Sequence, residues 1–394
     1  MSSEWFDLGA RLRAATSGQP QPRLCSAPFT AAEHPVAVRT AVTADQVSVT
    51  VAAPGTTPVT ATGSAGLAAL AAVGVAIDAP APATLVCEHP RTLTHLARLA
   101  AQVRPGDLYA ATAAHIAWWA DRADFPGGMA VLDTTWACRQ MWVSGRAPAA
   151  EADPATWRKW LDVPDQSVTG LLDLYQRLAT GGPLPLLSTL AEDDLWSFEL
   201  TARDFATGAD WRRPDAPGRA AVGLRARCDA ADLFATALLA DPLYRLRAVH
   251  TGHLVAGVVT QVAPDRSRRV WLSTPRLDAR LRPGEVVSGW VGSPTSPGTP
   301  LSATVAGARV EGGHLLIELT GVTGQAPPPG AAVCLHAAGA NVHRQRAARR
   351  AYRSLVRTHT WLTTGSRPTA TRRDVPLEVL VAGAEPDPDV GGRR

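Results

Sequence analysis

TLVCEHPRTLTHLARLA (84–100) and MAVLDTTWACRQMW (129–142) decide how this chain is read. Each opens with a short apolar run, Thr84 to Cys87 and Met129 to Leu132, and each run breaks at a carboxylate, Glu88 or Asp133. Helical spacing follows in both: Leu93, Leu96, Leu99 and Ala100 in the first, Trp136, Cys138, Met141 and Trp142 in the second. A buried run feeding a helix, twice over, is the mark of α/β layering, in which helices pack back onto the strands that precede them. The N-terminal half is therefore expected to be built on this sheet.

Working outward, three strand-like runs precede the pair: Val36 to Val42, Gln46 to Val51 and Val59 to Thr62, parted by turn residues at Ala44-Asp45 and Pro54-Gly55. Val47, Val49 and Val51 alternate with polar neighbours, the period of a half-buried strand. Ala65 to Val75 reads as an alanine-rich helix. At the start, Ser2 or Ser3 can cap a helix with Trp5, Leu8 and Leu12 on one face, ended by Gly18 and Pro20, and residues 19–35 read as a linker. Asp107 to Asp121, with His115, Ile116, Trp118 and Trp119, predicts a further packed helix. ADPATWRKWLDVP (152–164) and Gly170 to Leu178 predict two more, and RARCDAADLFATALLADPLYRLRAV (225–249) a long one broken or kinked at Pro242. Residues 181–220 show no clear period, and Trp196 and Trp211 are assigned to packing alone.

With 394 residues, 46% of them hydrophobic, the chain can bury two cores and is expected to form two or three domains. The net charge of +4 is modest, so partners must be argued from where charge is concentrated. Lys159 is the only lysine, a bias explained by overall composition as well as by function. The five cysteines are scattered, with no CxxC or Cys/His cluster, which argues against zinc and against a disulfide framework. No apolar segment of signal-peptide length opens the chain, and no run of 18 apolar residues occurs. The expectation is a cytoplasmic protein with no membrane partner.

Beyond His250 the character changes. His253 to Val262, Arg269 to Thr274, Glu285 to Val291, Leu301 to Ala308, His314 to Thr320 and Ala331 to His336 are short, rich in Val and Leu, and bounded by Gly and Pro clusters. Such spacing predicts a small antiparallel barrel or sandwich, of an OB-like or translation-factor-like kind. HRQRAARRAYRSLVRTHTWLTTGSRPTATRR (343–373) then carries nine arginines and no acid. Arg344, Arg346, Arg349, Arg350, Arg353, Arg357, Arg372 and Arg373 offer phosphate contacts, and Trp361 a stacking partner, so this stretch is the candidate nucleic-acid surface. The competing reading is a solvated helix capping the barrel. The organisation read from the chain is an N-terminal helix and linker (1–35), an α/β domain (36–248), a barrel (249–338), an arginine-rich helix with a final strand (339–383) and a disordered tail (384–394).

The order of elements, with GSAGLAALAAVGVAI (63–77), the two central stretches and RARCDAADLFATALL (225–239), resembles the 3′-5′ exonuclease domains of the ribonuclease D and family-A polymerase proofreading type. The resemblance covers residues 36–246 and implies an RNase H-like mixed sheet, after which come the small barrel and the basic helix read above. It also implies four carboxylates holding two divalent metals that flank the attacking water and the leaving oxygen. The departures are marked. VAVRTAV (36–42) has Arg39 and Ala41 where the family carries Asp and Glu, Thr94 stands near another expected Asp, and Asp229 alone matches, with Arg225 in place of the usual tyrosine.

One carboxylate cannot hold two magnesium ions, which demand several oxygen ligands. The expected function is therefore nucleic-acid binding without hydrolysis, DNA favoured over RNA, in replication, repair or mobile-element biology. No cofactor is expected. Two alternatives stand beside it. The first is a metal-dependent nuclease with a non-standard site of Glu88, Asp133 and Asp229, for which Mg2+ would be needed. The second is an assembly subunit whose tryptophans and arginines contact protein partners. Each candidate also has a plainer reading: Asp133 as a helix cap, Asp229 and Asp232 as a solvated face, Glu88-His89 as the sheet edge, and His250 with His253 as turn residues.

Overall fold

The structure, a computed structural model, describes residues 3–338 apart from 45, 214–216, 264–267 and 325, and for 3–7, 217 and 218 the backbone alone. The chain opens with α1 (Ser3–Ser17) and β1 (Gln21–Pro22), then β2 (Pro35–Thr43), β3 (Gln46–Ala52), β4 (Val59–Thr62), α2 (Ser64–Ala72), β5 (Thr84–Cys87), α3 (Pro90–Ala100), α4 (Ala110–Arg122), β6 (Val131–Asp133), α5 (Thr134–Met141) and β7 (Trp142–Val143). Both central stretches thus form strand, turn and helix. Five strands make one mixed sheet in the order β4-β3-β2-β5-β6. β3 runs antiparallel to β2 and β4, whereas β5 runs parallel to both β2 and β6.

Alternation along the strands separates two helical layers. Val36, Val38, Leu85 and Cys87 pack with Leu67 and Leu70 of α2, Leu96 of α3 and Ile116 and Trp119 of α4. Ala37 and Val86, between them, face the other way, onto Ala137, Cys138 and Met141 of α5. That second layer is completed by Trp157 of α6 (Pro154–Trp160) and by Leu171, Leu174 and Leu178 of α7 (Val168–Ala179). Strands covered on both faces have little room for polar residues, which is why they read as almost continuous apolar runs.

Three expectations need correction. Residues 19–35 are no loose linker: β1 pairs with β7, and Leu24, Ala27 and Phe29 are buried. Leu8 and Leu12 do not form the packed face of α1, being 43% and 58% exposed. Ala10 and Ala14 are turned inward instead, because the backbone comes so close that a Cβ at Gly145 would lie 2.5 Å from the Ala15 Cα. The stretch without clear period holds α8 (Leu187–Ala206), a helix of 20 residues. Its buried face includes Asp193 and Asp194 beside Leu190 and Phe198, so the apolar pattern that would have announced it is interrupted by acids.

α9 (Pro217–Leu238) ends before Pro242, and the break is complete, since α10 (Pro242–His250) starts anew with Asp241 as its cap. Asp241 Oδ1 accepts from Leu243 N at 2.9 Å, and its Oδ2 accepts from Cys25 N at 2.6 Å. A single carboxylate thereby joins the N-terminal segment to the start of α10.

β8 (Val255–Val262), β9 (Val270–Thr274), β10 (Val286–Gly292), β11 (Pro297–Glu311), β12 (His314–Thr320) and β13 (Ala332–Ala337) close into an antiparallel barrel in the ring order β10-β11-β12-β9-β8-β13. Register shifts between Val259 and Gln261, Trp290 and Gly292, and Val305 and Gly307 supply the local bends that closure requires. Leu272, Val287, Val305, Ile317, Leu319 and Leu335 fill the interior. Among the described residues no helix is long and apolar enough to cross a membrane.

Candidate functional site

Glu88 stands one residue past β5, and Arg39 lies in β2, its parallel neighbour. The register that pairs Ala37 with Val86, continued by two residues, brings Arg39 beside Glu88. The alternation that turns Ala37 and Val86 toward the second helical layer turns Arg39 and Glu88 there as well. From that layer α6 contributes Arg158. Arg39 Nη2 donates to Glu88 Oε2 and Arg158 Nε to Glu88 Oε1, while Arg158 Nη1 donates to the carbonyl of Asp165. The Arg158 side chain is 4% exposed and that of Arg39 35%. Arg39 Nε and Arg158 Nη2 are buried with no acceptor.

The turn is held from the next strand. Thr134 Oγ1 donates to Cys87 O at 3.2 Å and Thr135 Oγ1 to Glu88 O at 2.7 Å. Asp133 Oδ1 accepts from Trp136 N at 3.0 Å, so Asp133 caps α5. Burial pushes its carboxyl above the ordinary range, against the pull of the Trp136 and Thr135 amides. His89 caps α3, its Nδ1 accepting from Arg91 N at 3.0 Å. Burial drives the thiols of Cys87 and Cys138 far up, so neither supplies a thiolate at neutral pH.

The structure does not bring the three sequence-predicted carboxylates together. Asp229 lies on α9 in a cavity lined by Trp118 and Arg122, to which neither Glu88 nor Asp133 contributes. Its Oδ1 accepts from Arg225 Nε at 3.0 Å. It is 4% exposed and so does not belong to the solvated face expected of it, whereas Asp232 is exposed. Among the described residues no group of three His, Cys, Asp or Glu is placed to hold a metal ion.

The donor set at the strand ends does not fit magnesium either. Both oxygens of Glu88 are engaged by guanidiniums, whose positive charge opposes a cation. His250 and His253 lie at the turn into β8, and His253 Nε2 accepts from Arg280 Nη1 at 2.9 Å. Burial, then Arg280, lowers the pKa of His253.

Arg344, Arg346, Arg349, Arg350, Arg353, Arg357, Trp361, Arg372 and Arg373 lie outside the described residues. Arg158 escaped the sequence reading. The only local signal was an arginine directly after Trp157 on a short helix. Comparisons with protein families, with curated proteins and with solved structures found no match to this chain.

Proposed function

We propose that this protein binds nucleic acid through a catalytically silent RNase H-like scaffold of the exonuclease type. The observation that carries the reading is the exchange of charge at the ends of β2 and β5. The fold it resembles gathers acids there to hold metal, and this chain gathers Arg39 and Arg158 around a single Glu88. Two guanidiniums to one carboxylate leave an excess positive charge, with Arg39 the more exposed of the two, and planar guanidinium forks suit phosphate oxygens. The layout supports the scaffold: three antiparallel-linked strands, a helix, a parallel strand, two helices, a parallel strand and a helix, in the order β4-β3-β2-β5-β6. The nine arginines of residues 343–373 extend the same phosphate chemistry, and the small barrel is the platform that precedes them.

Fluorescence anisotropy of labelled single- and double-stranded DNA and RNA, titrated with the full chain across a salt series with Mg2+ or Mn2+, tests this. Binding should fall steeply with salt while the oligonucleotide stays intact. Replacing Arg349, Arg350 and Arg353 together by alanine should weaken binding to every sequence and flatten the salt slope by about 1 for each phosphate no longer neutralised. Unchanged affinity in that variant would sink the proposal. Cleavage that Asp229→Ala abolishes would favour the nuclease, and absence of binding at low salt would favour an assembly subunit.

A further inference from the structure

Between α4, α8 and α9 lies a cavity of about 290 Å³, near the lower end of small-ligand sites. Trp118, Phe125, Trp196 and Trp211 give it aromatic walls, and Asp193 and Asp229 give it carboxylates. The Arg122 guanidinium already covers the Phe125 ring, 3.4 Å from its centroid, and is paired with Asp193 at 3.1 Å and Asp194 at 2.5 Å. A ligand would meet the tryptophans and Asp229, with Asp121, Arg213 and Arg219 also in the lining.

Asp229 is 4% exposed, yet its Oδ2 accepts no hydrogen bond from any described residue. Asp229 lines the cavity, so the lone pairs that Arg225 does not use are placed to accept from a ligand seated there. The carboxylates here are not placed to hold a metal, and the tryptophan walls suit a flat aromatic group.

We infer that this cavity binds a guanine base, stacked on tryptophan, with the Asp229 carboxylate accepting its N1–H and N2–H. An ionised carboxylate only accepts, and each oxygen has two lone pairs, so the bond to Arg225 does not exhaust Oδ1. Guanine presents two adjacent donors on one edge. Adenine and cytosine place an acceptor beside their donor, and uracil has one N–H between two carbonyls. A buried carboxylate therefore selects guanine by leaving every other base with an acceptor against it or a donor missing. Arg213 lines the cavity with its side chain 84% exposed and only a long 3.8 Å pairing to Asp210, and so is placed to meet a phosphate. The base can come from a free nucleotide or from a strand, and the inference does not depend on the nucleic-acid reading.

The test is tryptophan fluorescence of the full chain titrated with GMP, AMP, CMP and UMP, and with short guanine-containing and guanine-free oligonucleotides. GMP should give saturable quenching at least about tenfold tighter than the other mononucleotides. Asp229→Asn should weaken GMP at least about tenfold and shift preference toward XMP, whose C2 carbonyl accepts from the new amide. Gly223→Phe is the second variant. Gly223 lines the cavity from α9, and a Cβ there would meet nothing within 4 Å. The helix gains by losing a glycine, so the variant should fold while its ring fills the cavity and abolishes quenching. Quenching by a guanine oligonucleotide alone, lost in Gly223→Phe, would support the same site with a strand's base as occupant. Equal quenching by all four mononucleotides, guanine binding that survives both variants, or no response to GMP and guanine oligonucleotides alike would overturn the inference.

Discussion

Around the five-stranded sheet, Glu88, Arg122, Arg158, Asp193 and Asp194 are all buried. In the barrel, the pairs Arg269 with Glu318 and Arg309 with Glu311 stay on the outside, and the interior is filled by apolar side chains, with the uncharged Thr274 buried in step with Val270 and Leu272. The two regions are held by different means. A buried ion is tolerated only where its partners and hydrogen bonds are complete, whereas an apolar interior depends on volume and fit. The sheet region is accordingly the part whose stability depends on single buried charges, and the barrel interior, from which the buried His336 of β13 is turned away by alternation with Val333 and Leu335, is the part that should ignore charge and pH.

The largest expected effect is at Asp194. Its Oδ1 accepts from Arg122 Nε at 2.5 Å, and its Oδ2 from the amides of Met129 at 2.6 Å and Ala130 at 3.1 Å. This ties α8 and α4 to the entry of β6. Asp194→Ala leaves a buried guanidinium with Asp193 alone and strands two amides, at a cost of about 4 kcal/mol. Glu318→Ala in the barrel, where the pair with Arg269 spans 3.7 Å and is partly exposed, should cost less than about 1 kcal/mol. Urea denaturation of the two variants checks the contrast, and equal losses would break it.

The next effect is read with pH. His115 is enclosed by Trp118, Trp119 and Phe198, with Nε2 3.1 Å from Ala83 O. Burial holds its pKa down at about 4, against an ordinary 6.5. Between those values the unfolded chain takes up a proton that the folded chain does not. The neutral ring's contribution is therefore complete above pH 6.5 and is lost as pH falls toward 4, in total about 3 kcal/mol. Between wild type and His115→Phe, the difference in unfolding free energy, followed from about pH 7.5 to about 4.5, should move by most of that amount in the variant's favour. A constant difference would show that the site admits the proton.

The same contrast explains which parts of the fold were legible. All six barrel strands were marked by their Val and Leu content and by turns such as APDRS and PPPG, because an apolar interior writes itself into the chain as alternation. β2, β3 and β5 were legible for the same reason. α8 was not, since Asp193 and Asp194 occupy inward positions and satisfy themselves on Arg122, about 70 residues away. Phe29 was hidden in another way, packed against the sheet from a proline-rich stretch with no period. At the candidate site, Glu88 and the capping role of Asp133 were readable from local pattern. The pairing of Glu88 with Arg39 and Arg158 was not, because only the β2–β5 register and the docking of α6 bring those residues together.

The smallest predicted effect tests the barrel on its own terms. Ile317 of β12 is fully buried and faces Leu272 across the sheet on one side and Ala308 on the other. Ile317→Val removes one methylene from an interior of apolar side chains and leaves every strand hydrogen bond in place, so the loss should be about 1 kcal/mol. Because no charged side chain of the described strands is turned into that interior, the loss should be the same at about pH 5 and about pH 7.5, and in about 0.05 M and about 0.5 M salt. Denaturation curves under the four conditions measure it. A loss that varied among them would mean that charge reaches the barrel interior after all, and the division between an ionic sheet region and an apolar barrel would fail at its simplest point.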